Sequence, residues 1–167
     1  ENRNVTVTVS AASGGSVSGG GEYKVNSQIS LTAKPDTGYH FVKWSDGSTA
    51  NPYNFTAKSD VSMEATFAPN SYQLTYVVDG AQHYSQSVVY GTILYEIQEP
   101  VKEGHTFTGW IGLPATMPAG DVTVTGSFEV DTYELVYILD GEVYQTEWVA
   151  YGSSLVVAPD PVKEGYT

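Results

Sequence analysis

The chain has no cysteine, two methionines and only 7 lysines and arginines in 167 residues. Without cysteine, disulfide frameworks, thiolate zinc sites and cysteine nucleophiles are all excluded. The same absence suits a secreted protein that never relied on disulfides, but it does not fix a compartment. Seven cations against 19 acids give a net charge of -12. That balance excludes nucleic acid as a partner, because neutralising phosphates needs clustered Lys and Arg. No apolar run approaches the roughly 20 residues of a membrane helix, so no membrane insertion is expected in this segment. Glu1-Asn2-Arg3-Asn4 does not open a signal peptide. Aromatic surface is plentiful: 13 Tyr, 5 Phe and 3 Trp supply enough buriable area to argue against disorder.

The chain repeats itself. Ser71-Tyr-Gln-Leu-Thr-Tyr-Val-Val-Asp-Gly80 lies over Thr132-Tyr-Glu-Leu-Val-Tyr-Ile-Leu-Asp-Gly141, a shift of 61 residues that continues without a gap to Thr106 over Thr167. Tyr90-Gly91 falls on Tyr151-Gly152, and Pro100-Val-Lys-Glu-Gly104 on Pro161-Val-Lys-Glu-Gly165. A more distant copy fills the first seventy residues: Gly38-Tyr-His-Phe-Val-Lys-Trp44 matches Gly104-His-Thr-Phe-Thr-Gly-Trp110, and the run 61–67 matches 122–128. The unit is about 60 residues, present as two complete copies and one truncated copy. Acidity divides unevenly: residues 1–70 carry five cations and six acids, and residues 71–167 carry two and thirteen.

Periodicity points to strands throughout. Val5, Val7 and Val9 alternate with Thr6, Thr8 and Ser10, the pattern of a half-buried strand. Leu74 and Tyr76, and again Leu135 and Tyr137, alternate with polar or outward residues. Asp79-Gly80 and Asp140-Gly141 sit between such runs and predict tight hairpins. Gly14-Gly15 and Gly19-Gly20-Gly21 read as turns, and nothing sustains a 3.6-residue period. Residues 92–99 fit either a short helical turn or a strand.

Several spaced motifs resemble a known family. The glycine-rich run 14–21, Leu31-Thr-Ala-Lys-Pro35, Gly38-Tyr-His-Phe-Val-Lys-Trp44, and Trp44-Ser-Asp-Gly47 with Asn51-Pro-Tyr53 resemble the divergent internalin-type B-repeat. Glu103-Gly-His-Thr-Phe-Thr-Gly-Trp110, Thr116-Met-Pro118 and Asp121-Val-Thr-Val-Thr125 resemble the Listeria–Bacteroides repeat of the same superfamily. Two departures stand out: His105 replaces the tyrosine of the other copies, Tyr39 and Tyr166, and the third copy lacks its Trp and closing strand. The resemblance implies small β-grasp-like modules in tandem on a bacterial surface protein, with no catalytic machinery.

Candidate chemistry is sparse. Trp44 and Trp110 could stack on sugars, but each ends the same aromatic strand of its own copy and is expected to anchor a core. Phe107 and Trp110, three apart, would point to opposite faces of a regular strand. A bulge allowed by Gly109 would bury both; the first copy, with Lys43 there, would need one without glycine. Leu113-Pro-Ala-Thr116 imitates a sortase signal, yet Met117 stands where that signal needs Gly, so a turn is expected. His40, His83 and His105 lack ligand spacing, and no Asp-x-Asp-x-Asp-Gly calcium loop occurs, so no metal or cofactor is expected. Ser13, Ser16 and Ser18 lie among glycines without the elbow of a serine nucleophile.

The exception is the strand 143–151. Val149 and Tyr151, two apart, should share the core face with Val88 and Tyr90 of the sister copy. Trp148 and Tyr144 then lie on the outer face, over Ser87 and His83. They are the candidate contact for a partner or glycan, and Trp148 is expected to meet the second module, the linker around Val130-Asp131, or a partner. The fold expected is mainly β, with little or no helix, in tandem modules at 1–69, 70–130 and a truncated 131–167. The expected function is non-catalytic: an extended stalk or adhesion segment of an extracellular, cell-surface or secreted bacterial protein. Its expected partners are neighbouring modules and a host or cell-wall protein or glycan. The alternative is a carbohydrate-binding accessory segment of a secreted glycan-degrading enzyme. A hydrolase ranks third, because no carboxylates form an evident acid/base pair.

Overall fold

Fourteen strands and no helix make up residues 3–162, the part of the chain described by a computed structural model. The first repeat contains β1 (Asn4–Ala11), β2 (Gly15–Ser18), β3 (Gly21–Lys24), β4 (Gln28–Pro35), β5 (Tyr39–Trp44), β6 (Tyr53–Thr56) and β7 (Val61–Pro69). They form a four-stranded sheet, β3-β1-β7-β5, and a three-stranded sheet, β2-β4-β6. The alternation seen in the sequence becomes the core. Val5 and Val7 of β1, Ile29, Leu31 and Ala33 of β4, and Met63, Ala65 and Phe67 of β7 are buried between the sheets. β1 and β7 run parallel, Val7 opposite Val61. Parallel neighbours need a long crossover, and here the crossover itself supplies the second sheet.

Trp44 closes this core with no exposed surface. Its indole N–H donates to the Ala50 carbonyl at 2.8 Å, so the ring's one polar atom is satisfied. Pairing of β5 with β7 skips Val42, so a bulge sets Phe41 and Trp44 together, ring centroids 5.5 Å apart, with no glycine involved. The loop that follows is tied at two points. The Asn51 side chain donates to the Ala33 carbonyl and accepts from its N–H, and the Tyr53 hydroxyl donates to Asp46. The Trp-Ser-Asp-Gly and Asn-Pro-Tyr motifs are therefore a scaffold for the buried indole.

The second repeat contains β8 (Ser71–Val78), β9 (Ala81–Val89), β10 (His105–Phe107), β11 (Val122–Gly126) and β12 (Phe128–Val130). The larger sheet of the first repeat is here split in two: β8 pairs with β9 and, in parallel, with β11, while β10 pairs with β12. The smaller sheet is reduced to loops. Residues 92–99 are neither helix nor strand beyond one bridge, Ile93 to Thr116. Met117 fills the space beneath, fully buried, its N–H donating to Thr92 and its carbonyl accepting from Gly91, both at 2.9 Å. Trp110 is partly buried against Tyr76 and Phe107, each 4.9 Å away by ring centroids, and Gly109 bends the chain at φ +96°.

The third repeat shows β13 (Thr132–Leu139) and β14 (Glu142–Ala150). Their register repeats that of β8 and β9 position by position, including a bulge at Tyr144 where the second repeat has one at His83. Both hairpins turn through residues with positive φ, +49° and +81° at Asp79-Gly80 and +53° and +85° at Asp140-Gly141, as the mirror-image two-residue turn requires. The expected strand-for-strand match of 71–106 with 132–167 thus holds over the hairpins; residues 163–167 lie outside the described residues. Among the described residues no strand lies beside β13 as β11 lies beside β8, and no buried residue occurs after Val124.

Candidate functional site

Trp148 stands opposite Glu134 on the β13–β14 hairpin and is 70% exposed. Glu134, Thr146 and Val136 share its face, because directly paired residues of an antiparallel ladder point the same way. Neither the second repeat nor the linker covers it, so the contact expected within this chain is not made. The corresponding face of the second repeat is polar and closed on itself: Ser85 lies 3.1 Å from Thr75 and donates to Gln73 at 3.4 Å.

Tyr144 does not join Trp148 as alternation would have it. It is the residue skipped in the pairing, Gln145 facing Tyr137 and Val143 facing Ile138. A bulge sets two residues against one and interrupts the alternation. In the second repeat the residue at that bulge, His83, lies 6.1 Å from the Trp110 ring, on the Tyr76 side of the sheet. Tyr144 correspondingly belongs to the Tyr137 side. The candidate contact face is left with one aromatic, Trp148.

A second expectation also changes. Val88 is buried in its own repeat, but Tyr90 and Tyr151 are not core residues of theirs. Each runs past the end of its hairpin onto the preceding repeat, Tyr90 over Gly38 and Tyr151 over Gly104. Alternation gave their face correctly and their destination wrongly, since a face says nothing of what lies beyond the end of the strand. The signal available was the pairing of a recurrent Tyr-Gly with a recurrent Gly-aromatic at 38–39 and 104–105. The carboxylate of Glu103, reaching across from the second repeat, raises the Tyr151 phenol above its usual pKa by hydrogen bonding.

Other candidates resolve as structure. His40 Nδ1 lies 2.8 Å from the Asn70 side chain and His105 Nδ1 2.9 Å from the Glu103 carbonyl. Among the described residues no three His, Asp or Glu converge as a metal site, and no helix is long and apolar enough to cross a membrane. The run 113–116 is irregular chain bent at Ala115, with Leu113 packed on the second core and Thr116 bridged to Ile93. Asp60 and Asp121, given no role by the sequence, do one job twice: each carboxylate accepts a backbone N–H at 2.8 Å, from Thr6 and Gln73 respectively. Asp46, which accepts from the Ser48 N–H and the Tyr53 hydroxyl, is held below its usual pKa, and Tyr53 is correspondingly raised. An open cleft of about 290 Å³ lies between Leu135, Val149 and Leu155, and one of about 400 Å³ between Leu74, Val88 and Leu94. These two clefts are the same feature repeated beneath two hairpins.

A series of repeats with no helix among the described residues, joined end to end by matched contacts, defines a tandem β-repeat protein. Residues 5–71 match the divergent InlB B-repeat domain, and residues 72–125 and 133–167 match the Listeria-Bacteroides repeat domain. The chain belongs to this repeat family. Among its relatives, Internalin H of Listeria monocytogenes is 31% identical over 146 residues, covering 75% of this chain and 26% of that protein. Two proteins of Evansella cellulosilytica, described as a membrane protein and a Gly-rich membrane protein, are each 27% identical, over 98% and 93% of this chain. The chain spans 28% and 20% of their lengths, so it matches a segment of larger proteins in each case.

Proposed function

We propose that modules 1–69, 70–130 and 131–167 form a non-catalytic spacer segment of an extracellular bacterial surface protein. Its work is to hold neighbouring parts of the polypeptide at a distance and to present outer faces for adhesion to a host or cell-wall partner. The observation that carries this reading is the head-to-tail recurrence of the same joint between successive repeats. A chain built this way grows in length by adding units, each contacting its neighbours. The charge supports it, since the acidic second and third repeats repel non-specific association with anionic surfaces. Small-angle scattering tests it. A compact globule of 167 residues would have a radius of gyration of about 15 Å. A spacer gives a clearly larger value, and a value near the compact one contradicts it.

A second reading, glycan contact, is favoured by one observation: the exposed indole of Trp148 beside Glu134 and Thr146. Aromatic rings offer a flat apolar platform, and the flanking polar groups can hydrogen-bond sugar hydroxyls. Titrating cell-wall and plant oligosaccharides against the protein, with Trp148→Ala as control, tests it. Binding lost in the variant supports the reading, and no binding in either protein removes it.

A further inference from the structure

We propose that Tyr90 and Tyr151 are docking side chains, each fastening its repeat onto a glycine platform of the repeat before it and so fixing the angle between them. The two joints share the same backbone hydrogen bonds. In the first, the Asn70 N–H donates to the Gly38 carbonyl at 2.7 Å and the Asn70 carbonyl accepts from the Tyr90 N–H at 2.8 Å. In the second, the Asp131 N–H donates to Gly104 at 2.9 Å and its carbonyl accepts from Tyr151 at 2.8 Å. A single linker residue, between Pro69 and Ser71 or between Val130 and Thr132, thereby bridges platform and plug.

The rings complete the arrangement. A side chain on Gly38 would place its Cβ 2.6 Å from the Tyr90 ring, and one on Gly104 would overlap Tyr151. The plug therefore rests directly on backbone. Next to each glycine an aromatic meets it edge-on: Tyr39 at 5.7 Å from Tyr90, and His105 at 6.2 Å from Tyr151. Both platform glycines also have positive φ, +83° and +67°, so two independent requirements select glycine there.

One of these backbone hydrogen bonds has a counterpart inside the first repeat, without a docked ring. The Val25 N–H donates to the Arg3 carbonyl at 3.0 Å, as Tyr90 does to Asn70, but the Val25 side chain packs on its own core. Such a joint need not reach the roughly 1,000 Å² of a free-standing interface. It suffices because a one-residue linker leaves no slack and keeps the local concentration of plug at platform very high.

The test uses the whole chain, with backbone residual dipolar couplings measured for each repeat. The wild type should fit one shared alignment tensor across β1–β7 and β8–β12. Tyr90→Phe should keep it, since the joint uses the ring and the backbone N–H. Tyr90→Ala should give two tensors of different magnitude, with both repeats still folded by their chemical shifts, while Tyr151→Ala should decouple only β13–β14. Separate tensors in the wild type, or a shared one in Tyr90→Ala, overturn the proposal. So does unfolding of the second repeat in Tyr90→Ala, which would make Tyr90 a core residue after all. The spacer role survives such a failure, because a flexible tether is still a spacer.

Discussion

Leu74 and Tyr76 of the β8–β9 hairpin are buried almost completely, while Leu135 and Tyr137, their counterparts 61 residues on, are only partly covered. The turn, the register and the bulge are the same in both hairpins. What differs is remote: β11 beside β8, Met117 beneath it and Trp110 against Tyr76. Hairpin geometry is thus specified by local residues, the Asp-Gly turn and period-2 pattern, whereas burial comes from chain 34 to 48 residues away. An isolated two-stranded hairpin is marginal in water, so stability should be distributed very unevenly along the molecule.

That contrast can be broken in order of cost. Trp44→Ala empties the only fully buried indole among the described residues and should destabilise the first repeat by about 3–5 kcal/mol. Trp110→Ala removes a partly buried ring and should cost the second repeat about 2–3 kcal/mol. Denaturant unfolding followed in each repeat separately measures both. Met117→Ala should cost about 2–4 kcal/mol in the second repeat and leave the β13–β14 resonances unmoved. Parallel destabilisation of the third repeat would show that its hairpin borrows that core.

Acid should weaken the first repeat through Asp46. Asp46 has a folded-state pKa below its usual 3.8, through hydrogen bonds from Ser48 and Tyr53. The unfolded chain then binds more protons in acid. The stabilisation is therefore present above the usual carboxylate range and lost as pH falls through the lower folded value. The group is exposed, so the effect should stay under about 1 kcal/mol. Comparing Asp46→Asn with wild type between pH 5 and about 2 reads it out: the variant's curve should be flatter. The smallest effect is expected at the other end of the molecule. Trp148→Ala should change stability by less than about 0.5 kcal/mol, as surface substitutions do. A loss like that of Trp110→Ala would mean the faces of β14 are reversed.

Much of this was legible in the residues. Alternation at 5–9 gave the inward valines, Asp-Gly gave both hairpins, and the 61-residue echo gave their shared register. The bulge near Gly109 was readable because residues 107 and 110 cannot otherwise share a core. Three features were hidden for physical reasons. The bulge at Tyr144 has no composition signal, since any residue can occupy it, and it removed Tyr144 from the candidate face. Residues 92–99 hold no periodic pattern because one bridge and a buried Met117 replace a strand pair. Tyr90 and Tyr151 looked like core because their face is the core face; only the platform of another repeat explains them.

Residue-resolved amide hydrogen exchange on the intact chain tests the distribution of stability most directly. Exchange through local opening reports how much of the global free energy each segment shares. The account predicts strong protection in β1, β7, β8 and β11, and exchange in β13 and β14 faster by orders of magnitude despite an identical hydrogen-bond register. Equal protection of the β8–β9 and β13–β14 hairpins would contradict it, showing that the hairpin alone carries the stability assigned here to the strand and side chains that cover it.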